Sequence, residues 1–307
     1  MTNKNNKFYN PTTIGALIEF CEEYCNIYDK FVNDIKRQKL KLPQQIIAAD
    51  MLTRSRVTVE ALGRLFPLLT GHPSHKMSIF LVLRAQISDI FNYLYILTFI
   101  DSEDSEEIAI KNESGLLDIE FFKAMLTLHE ENKRLLATGG ISNVVSSSDE
   151  ERNNAVKEEL FHKYAHLLNQ EKKPKSNQEI RSSTDNKHFT KAPEKRKGGI
   201  STEKEKFERI MLYSPQSTKE QIAPLYSIFK YFSQFQHYSR GSMFFFKHRH
   251  LDHDIFNILI SLTTLYTVCE LQYRKLLEGP NEYSENLKKL DAILERIINQ
   301  ETSNKSD

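Results

Sequence analysis

The stretch "FFFKHRHLDHDIFN", residues 244 to 257, sets His248, His250, Asp252 and His253 in the order His-x-His-x-Asp-His. Three imidazoles and a carboxylate at that spacing could hold a zinc ion, since zinc hydrolysis needs three protein ligands and one open position. A second candidate is a pair of polar groups inside apolar patterns. Arg84 lies in "SIFLVLRAQISDIFNYLYILTF", where a guanidinium cannot sit in a core without an acceptor. His237 lies in "LYSIFKYFSQFQHYSRGSM", with Tyr226 and Ser233 at helical spacings of seven and four before it, so that the three share one helix face. An imidazole beside a guanidinium can serve as acid or base next to an anion clamp.

The first pattern resembles the ligand string of the metallo-β-lactamase superfamily, which places it in a turn after a strand and draws further His and Asp ligands from later strands. Here a Phe-rich run precedes it, a helix follows, and His253 is the last histidine, with 54 residues remaining. The chain is therefore not expected to be a zinc hydrolase of that family. His248, His250 and His253 stay weak metal candidates, and no cofactor is expected. The alternative is that Asp252 or Asp254 accepts hydrogen bonds from the first amides of the following helix, with His248, Arg249 and His250 solvated. Glu159, His162 and His166 form half of a helical di-metal pattern whose second Glu-x-x-His is missing.

The elements that must position these groups are helices. Only 10 glycines and 9 prolines punctuate 307 residues, too few for the turns of a strand-rich fold. Apolar residues recur at spacings of three and four over about 13–39. A second helix opens near Pro43 and reads to Leu65, and Ser74 can cap a third that runs to Ile100, apolar around most of its circumference and so the most buried. Further helices are expected over about 117–137, 149–169, 202–212, 219–238, 252–277 and 282–299. The expectation is an all-α fold, a multi-helix antiparallel bundle of eight or nine helices.

Residues 171–201, rich in Lys, Ser and Asn and poor in large apolar side chains, read as a disordered basic linker. It divides an N-terminal helical part, 1–170, from C-terminal helices, 202–307, that pack back on it as one domain. Three cysteines, an odd number placed within helical patterns, fit a reducing compartment. With no secretory h-region at residues 1–10, the expected location is the cytoplasm. No membrane span is expected. The longest charge-free apolar stretch, Ile255 to Cys269, is 15 residues, and Met77 to Ile100 carries Arg84 and Asp89 at its middle. A net charge of +1 gives no global field toward nucleic acid, although local contact stays open. A protein partner or a homodimer is compatible with the apolar helix faces.

The "LVLRAQISD" helix followed by "YSIFKYFSQFQHYS" resembles a family of helical bacterial proteins of unassigned activity. These are distantly similar to HEPN-like proteins, some of which are ribonucleases or toxins. The resemblance covers residues 45 to 100 and 218 to 277. It implies polar roles for Arg84 and His237 and for Ser239 after the histidine, while Asp89 matches poorly; Arg240 is a further catalytic candidate only in the enzyme reading below. The HEPN ribonuclease signature, Arg and His with four to six residues between, occurs only as Arg181 and His188 in the linker; Arg240 and His248 have one residue too many. Two functions stand: a helical interaction or regulatory protein of a bacterial defence or mobile-element locus, and a HEPN-like ribonuclease or nucleotide-modifying enzyme. In the first, Arg84, His237, Asp89, Tyr226, Ser233 and Ser239 form a buried network; in the second, Arg84, His237 and Arg240 converge on a cleft.

Overall fold

The computed structural model describes residues 9–37, 39–71, 75–99, 202–235, 251–277 and 283–303, with residues 122–131 and shorter pieces between 133 and 179. The protein is all-α. Among the described residues eight helices have assigned bounds: α1 (Pro11–Arg37), α2 (Pro43–Leu65), α3 (Leu68–Gly71), α4 (Lys76–Leu97), α5 (Glu203–Tyr213), α6 (Gln216–Ser233), α7 (Leu251–Leu276) and α8 (Tyr283–Ser303). Among them no strand occurs, only an isolated bridge between Leu168 and Pro174.

The ends follow local chemistry. Asn10 Oδ1 accepts from the Thr12 amide at 2.9 Å and Pro11 opens α1, where the proline's missing N–H goes unneeded. Pro43 opens α2, and the Gln45 side chain reaches back to the Leu42 amide at 3.3 Å. His75 stands at the N-terminal boundary of α4 without a side-chain cap; Ser74 lies outside the described residues. Pro224 sits inside α6, and Thr264 Oγ1 of α7 donates at 3.5 Å to the Gln221 carbonyl in that turn. There an outside hydroxyl joins a ladder weakened by the missing N–H.

The chain divides into two compact units, residues 1–98 with 203–307 in one and 99–202 in the other. The contacts thus part at 98/99 and 202/203, whereas the compositional boundary lies at 171. In the first unit α2 runs antiparallel to α1, and a Cβ added at Gly63 would stand 3.1 Å from Cys21 Cβ. Helix α4 packs on α2, α5, α6 and α7, and α7 on α2, α4 and α6, while α8 lies along α1. An aromatic run continues the packing from α1 to α7: Tyr24 stacks on Tyr28 at 4.1 Å, and Phe31 on Tyr273 at 4.0 Å.

Two helices, α4 and residues His253–Arg274 of α7, are long and apolar enough to cross a membrane. Most of each apolar window, 61% and 67%, is buried inside this unit. In the second unit residues 122–131 are helical, and Phe122 meets Phe161 edge-on at 5.5 Å. Asn169 Oδ1 accepts from the Glu171 and Lys173 amides in a turn where Lys172 adopts φ 56°. Residues 180–201 of the basic stretch lie outside the described residues.

Candidate functional site

The most heavily buried charges gather at one end of the bundle, where α1 begins, α4 begins, α6 ends and α7 begins. Asp254, in the first turn of α7, is fully buried. Its Oδ2 accepts from Tyr9 OH at 2.8 Å and from Lys76 Nζ at 3.0 Å, and its Oδ1 accepts from Tyr231 OH at 2.7 Å. Lys76 is only 3% exposed, and its ammonium also lies 6.0 Å from the Phe235 ring centre. Burial, and then the adjacent carboxylate charge, push the Tyr9 and Tyr231 phenols far above the ordinary phenol range. Both therefore stay neutral donors.

This arrangement corrects the reading of Asp254 as a helix cap. Helix α7 begins at Leu251, so Asp254 already lies inside it, on the face that carries Ile258, Leu262 and Leu265 into the core. A carboxylate there leaves water and must be matched by donors from elsewhere. Three of its roughly four acceptor sites are filled by this chain's own groups. Chemically the cluster ties four segments together, with its ion pair and its phenols facing one another.

The second constellation lies further along the seam of α4 and α6, which run antiparallel. Arg84 is half-buried; its Nε donates to Ser233 Oγ at 3.0 Å, and its guanidinium carbon stands 4.8 Å from the Phe229 ring centre. Ser233 in turn donates to the Phe229 carbonyl at 2.7 Å. Asp89 does not join this group. It takes a forked ion pair from Arg54 of α2, at 2.8 to 3.1 Å, and burial moves its carboxyl upward in pKa against the pull of that guanidinium. Tyr226 is placed on the α5 side, stacked on Phe207 at 4.8 Å. Helix α5 is clipped along α4 by Glu203 on Ser88, Lys206 on Asn92 and Arg209 on Thr98.

The structure therefore brings Arg84 and Ser233 together and sends Asp89 and Tyr226 to other partners. His237, Ser239, Arg240, His248 and His250 lie outside the described residues, as do His166, Arg181 and His188. His253 is exposed and packs edge-on against Tyr231 at 5.1 Å. Among the described residues no three His, Cys, Asp or Glu side chains are grouped as a metal would require.

Sequence reasoning passed over Tyr9 and Lys76 altogether. The available signal was the charge at the openings of the two most apolar helices: Lys76 opens one, Asp252 and Asp254 open the other, and each opening is followed by an uncharged run. The thiols are structural. Cys269 donates to Ser55 Oγ at 3.5 Å and burial pushes it up to about 11, while Cys25, half-buried, donates to the Arg56 carbonyl at 3.7 Å and is also pushed up to about 11 by burial. No family model matches this chain, no curated protein matches it, and no solved structure does.

Proposed function

We propose that the chain is a helical interaction or regulatory module that works by binding a protein partner and not by turnover. The observation that supports this reading is the outer face of α2. Leu42, Ile46 and Val57 are 46%, 46% and 59% exposed, and their spacing sets them within about a sixth of the helix circumference. The opposite face buries Ala48, Met51, Leu52, Val59 and Leu62. Thr53 and Arg64, also exposed, fall within the same arc, so the outer face is mixed, and its three apolar side chains are what a covering partner would gain by burying. A second copy of the chain or another protein fits that chemistry. A bacterial defence or mobile-element locus is the setting we propose for it, on the resemblance alone.

A second reading, a HEPN-like ribonuclease or nucleotide-modifying enzyme, is favoured by one observation: among the described residues Arg84 holds no carboxylate, and its Nε bonds Ser233, four positions before His237 in the sequence. Incubation of the purified protein with RNA pools and nucleotides, beside a His237→Ala variant, separates the two. The interaction module gives no turnover in either sample. Turnover in the wild type that His237→Ala abolishes overturns it in favour of the enzyme.

A further inference from the structure

We propose that the seam where α1, α2, α4 and α7 meet is a built site for ordered water, held by the Gln86 carboxamide and the Tyr24 and Tyr93 phenols. The inference does not depend on the outer face of α2, nor on turnover.

Gln86 is 2% exposed, Tyr24 0% and Tyr93 3%. Among the described residues, Gln86 Nε2 and Oε1, Tyr24 Oη and Tyr93 Oη meet no hydrogen-bond partner. Each of these groups has given up bulk solvent, and that loss goes unreturned unless something inside the core bonds it.

The three residues face one region. Gln86 and Tyr93 are seven positions apart on α4, which sets them on one face two turns, or about 10 Å, apart. Asp89 lies about 60° further round the helix and bonds Arg54 of α2, while the Tyr93 phenol is near enough to Cys269 of α7 to feel its charge. The face that carries Gln86 therefore looks onto α2 and α7. From α1, Tyr24 stands beside Ser55 of α2 and Cys269, which bond each other at 3.5 Å, but it is in bonding geometry with neither. Ser55 Oγ is itself committed to the Leu52 carbonyl at 2.8 Å.

The lining selects the ligand. Burial keeps both phenols and the Cys269 thiol neutral, and the charges at the edge of the seam, Arg54 and Asp89, answer one another. An ion would find no counter-charge here. The open positions call for a neutral molecule that donates to Gln86 Oε1, accepts from Gln86 Nε2 and the phenols, and fits between packed helices. Water meets all three demands. Buried waters make about three bonds each to polar groups that the fold leaves over, and they occur about once per 27 residues.

Magnetic relaxation dispersion of the water oxygen nucleus, on the full chain, counts long-lived internal waters and tests this. Gln86→Met should lose at least one relative to the wild type, and the double change Tyr24→Phe with Tyr93→Phe at least one. The tyrosine changes remove only oxygen atoms, so they keep the test available if Gln86→Met does not fold. Equal counts in the wild type and every variant would overturn the site. Urea unfolding gives a second readout, because removing a hydroxyl that bonds water costs stability, whereas removing an unpaired one restores it. The midpoint of Tyr93→Phe should therefore fall, and an unchanged or higher midpoint would overturn the assignment.

Discussion

Lys76 Nζ and Asp254 Oδ2 stand 3.0 Å apart, 178 positions apart in sequence, with side chains 3% and 0% exposed. Their mutual attraction has to outweigh the loss of water around both. The balance is close for an intact pair and strongly adverse for a broken one. Lys76→Met should therefore destabilise the fold by about 3–5 kcal/mol, and the double change Lys76→Met with Asp254→Leu should recover a large part of that loss. Urea unfolding of the two single variants and the double variant measures the coupling. Simple additivity of the single effects would show that the two charges do not depend on each other.

Tyr9 reaches the same carboxylate from the segment before α1. Tyr9→Phe should cost about 1.5–3 kcal/mol, the range for hydrogen bonds to charged groups, and Tyr231→Phe a similar amount. Because both donors serve one acceptor group, the double variant should depart from the sum of the singles. Thermal melts of the three variants would decide this, and an unchanged melting temperature for Tyr9→Phe would mean that the N-terminal segment adds nothing to the cluster.

Alkaline pH should unfold the protein earlier than its carboxylates or lysines suggest. Cys269 is pushed up to about 11, and burial drives Tyr24, Tyr28 and Tyr93 well above the ordinary phenol range. A group whose folded pKa is raised contributes stability fully below its unfolded value and loses it as pH rises through the folded one. For Cys269 that window runs from about pH 9 to about 11, with the phenols beyond, at about 1.4 kcal/mol per pH unit for each group. Unfolding midpoints in urea between pH 7 and 11 should fall from about pH 9 upward, and Cys269→Ala should flatten the first part of that fall.

Thiol chemistry should follow exposure. At pH 8 a thiol with a pKa of about 11 is ionised in about one molecule in a thousand, and only the thiolate reacts. Native protein should resist iodoacetamide, with Cys25 modified first because Cys21 and Cys269 are both buried. Peptide mapping by mass spectrometry would show the order, and early modification of Cys269 would place it nearer solvent than the packing does.

The helices were legible because their patterns are local. Pro43 and the periodicity from Thr13 onward each describe a neighbourhood of a few residues, and α1 and α2 begin within about two residues of those marks. Partners were legible only in part. That Arg84 must bond outside its own helix followed from the apolar run around it, but the choice of Ser233, 149 positions away, depends on how α4 and α6 cross. Asp254 shows the limit most plainly. Its reading as a cap depended on where α7 starts, and a start at Leu251 turns a solvent-facing carboxylate into a buried one.

The bond from Tyr9 to Asp254 spans 245 positions, which bears on the order of events at the ribosome. Tyr9, Lys76 and Tyr231 all emerge before the acceptor that satisfies them, so the emerging N-terminal helices must wait with a lysine on an apolar surface. Chains that defer such long-range pairing fold late and are open to aggregation in the interval. Completion of this fold therefore waits until residue 254 has been made, and a nascent chain halted before it is a natural client for a chaperone.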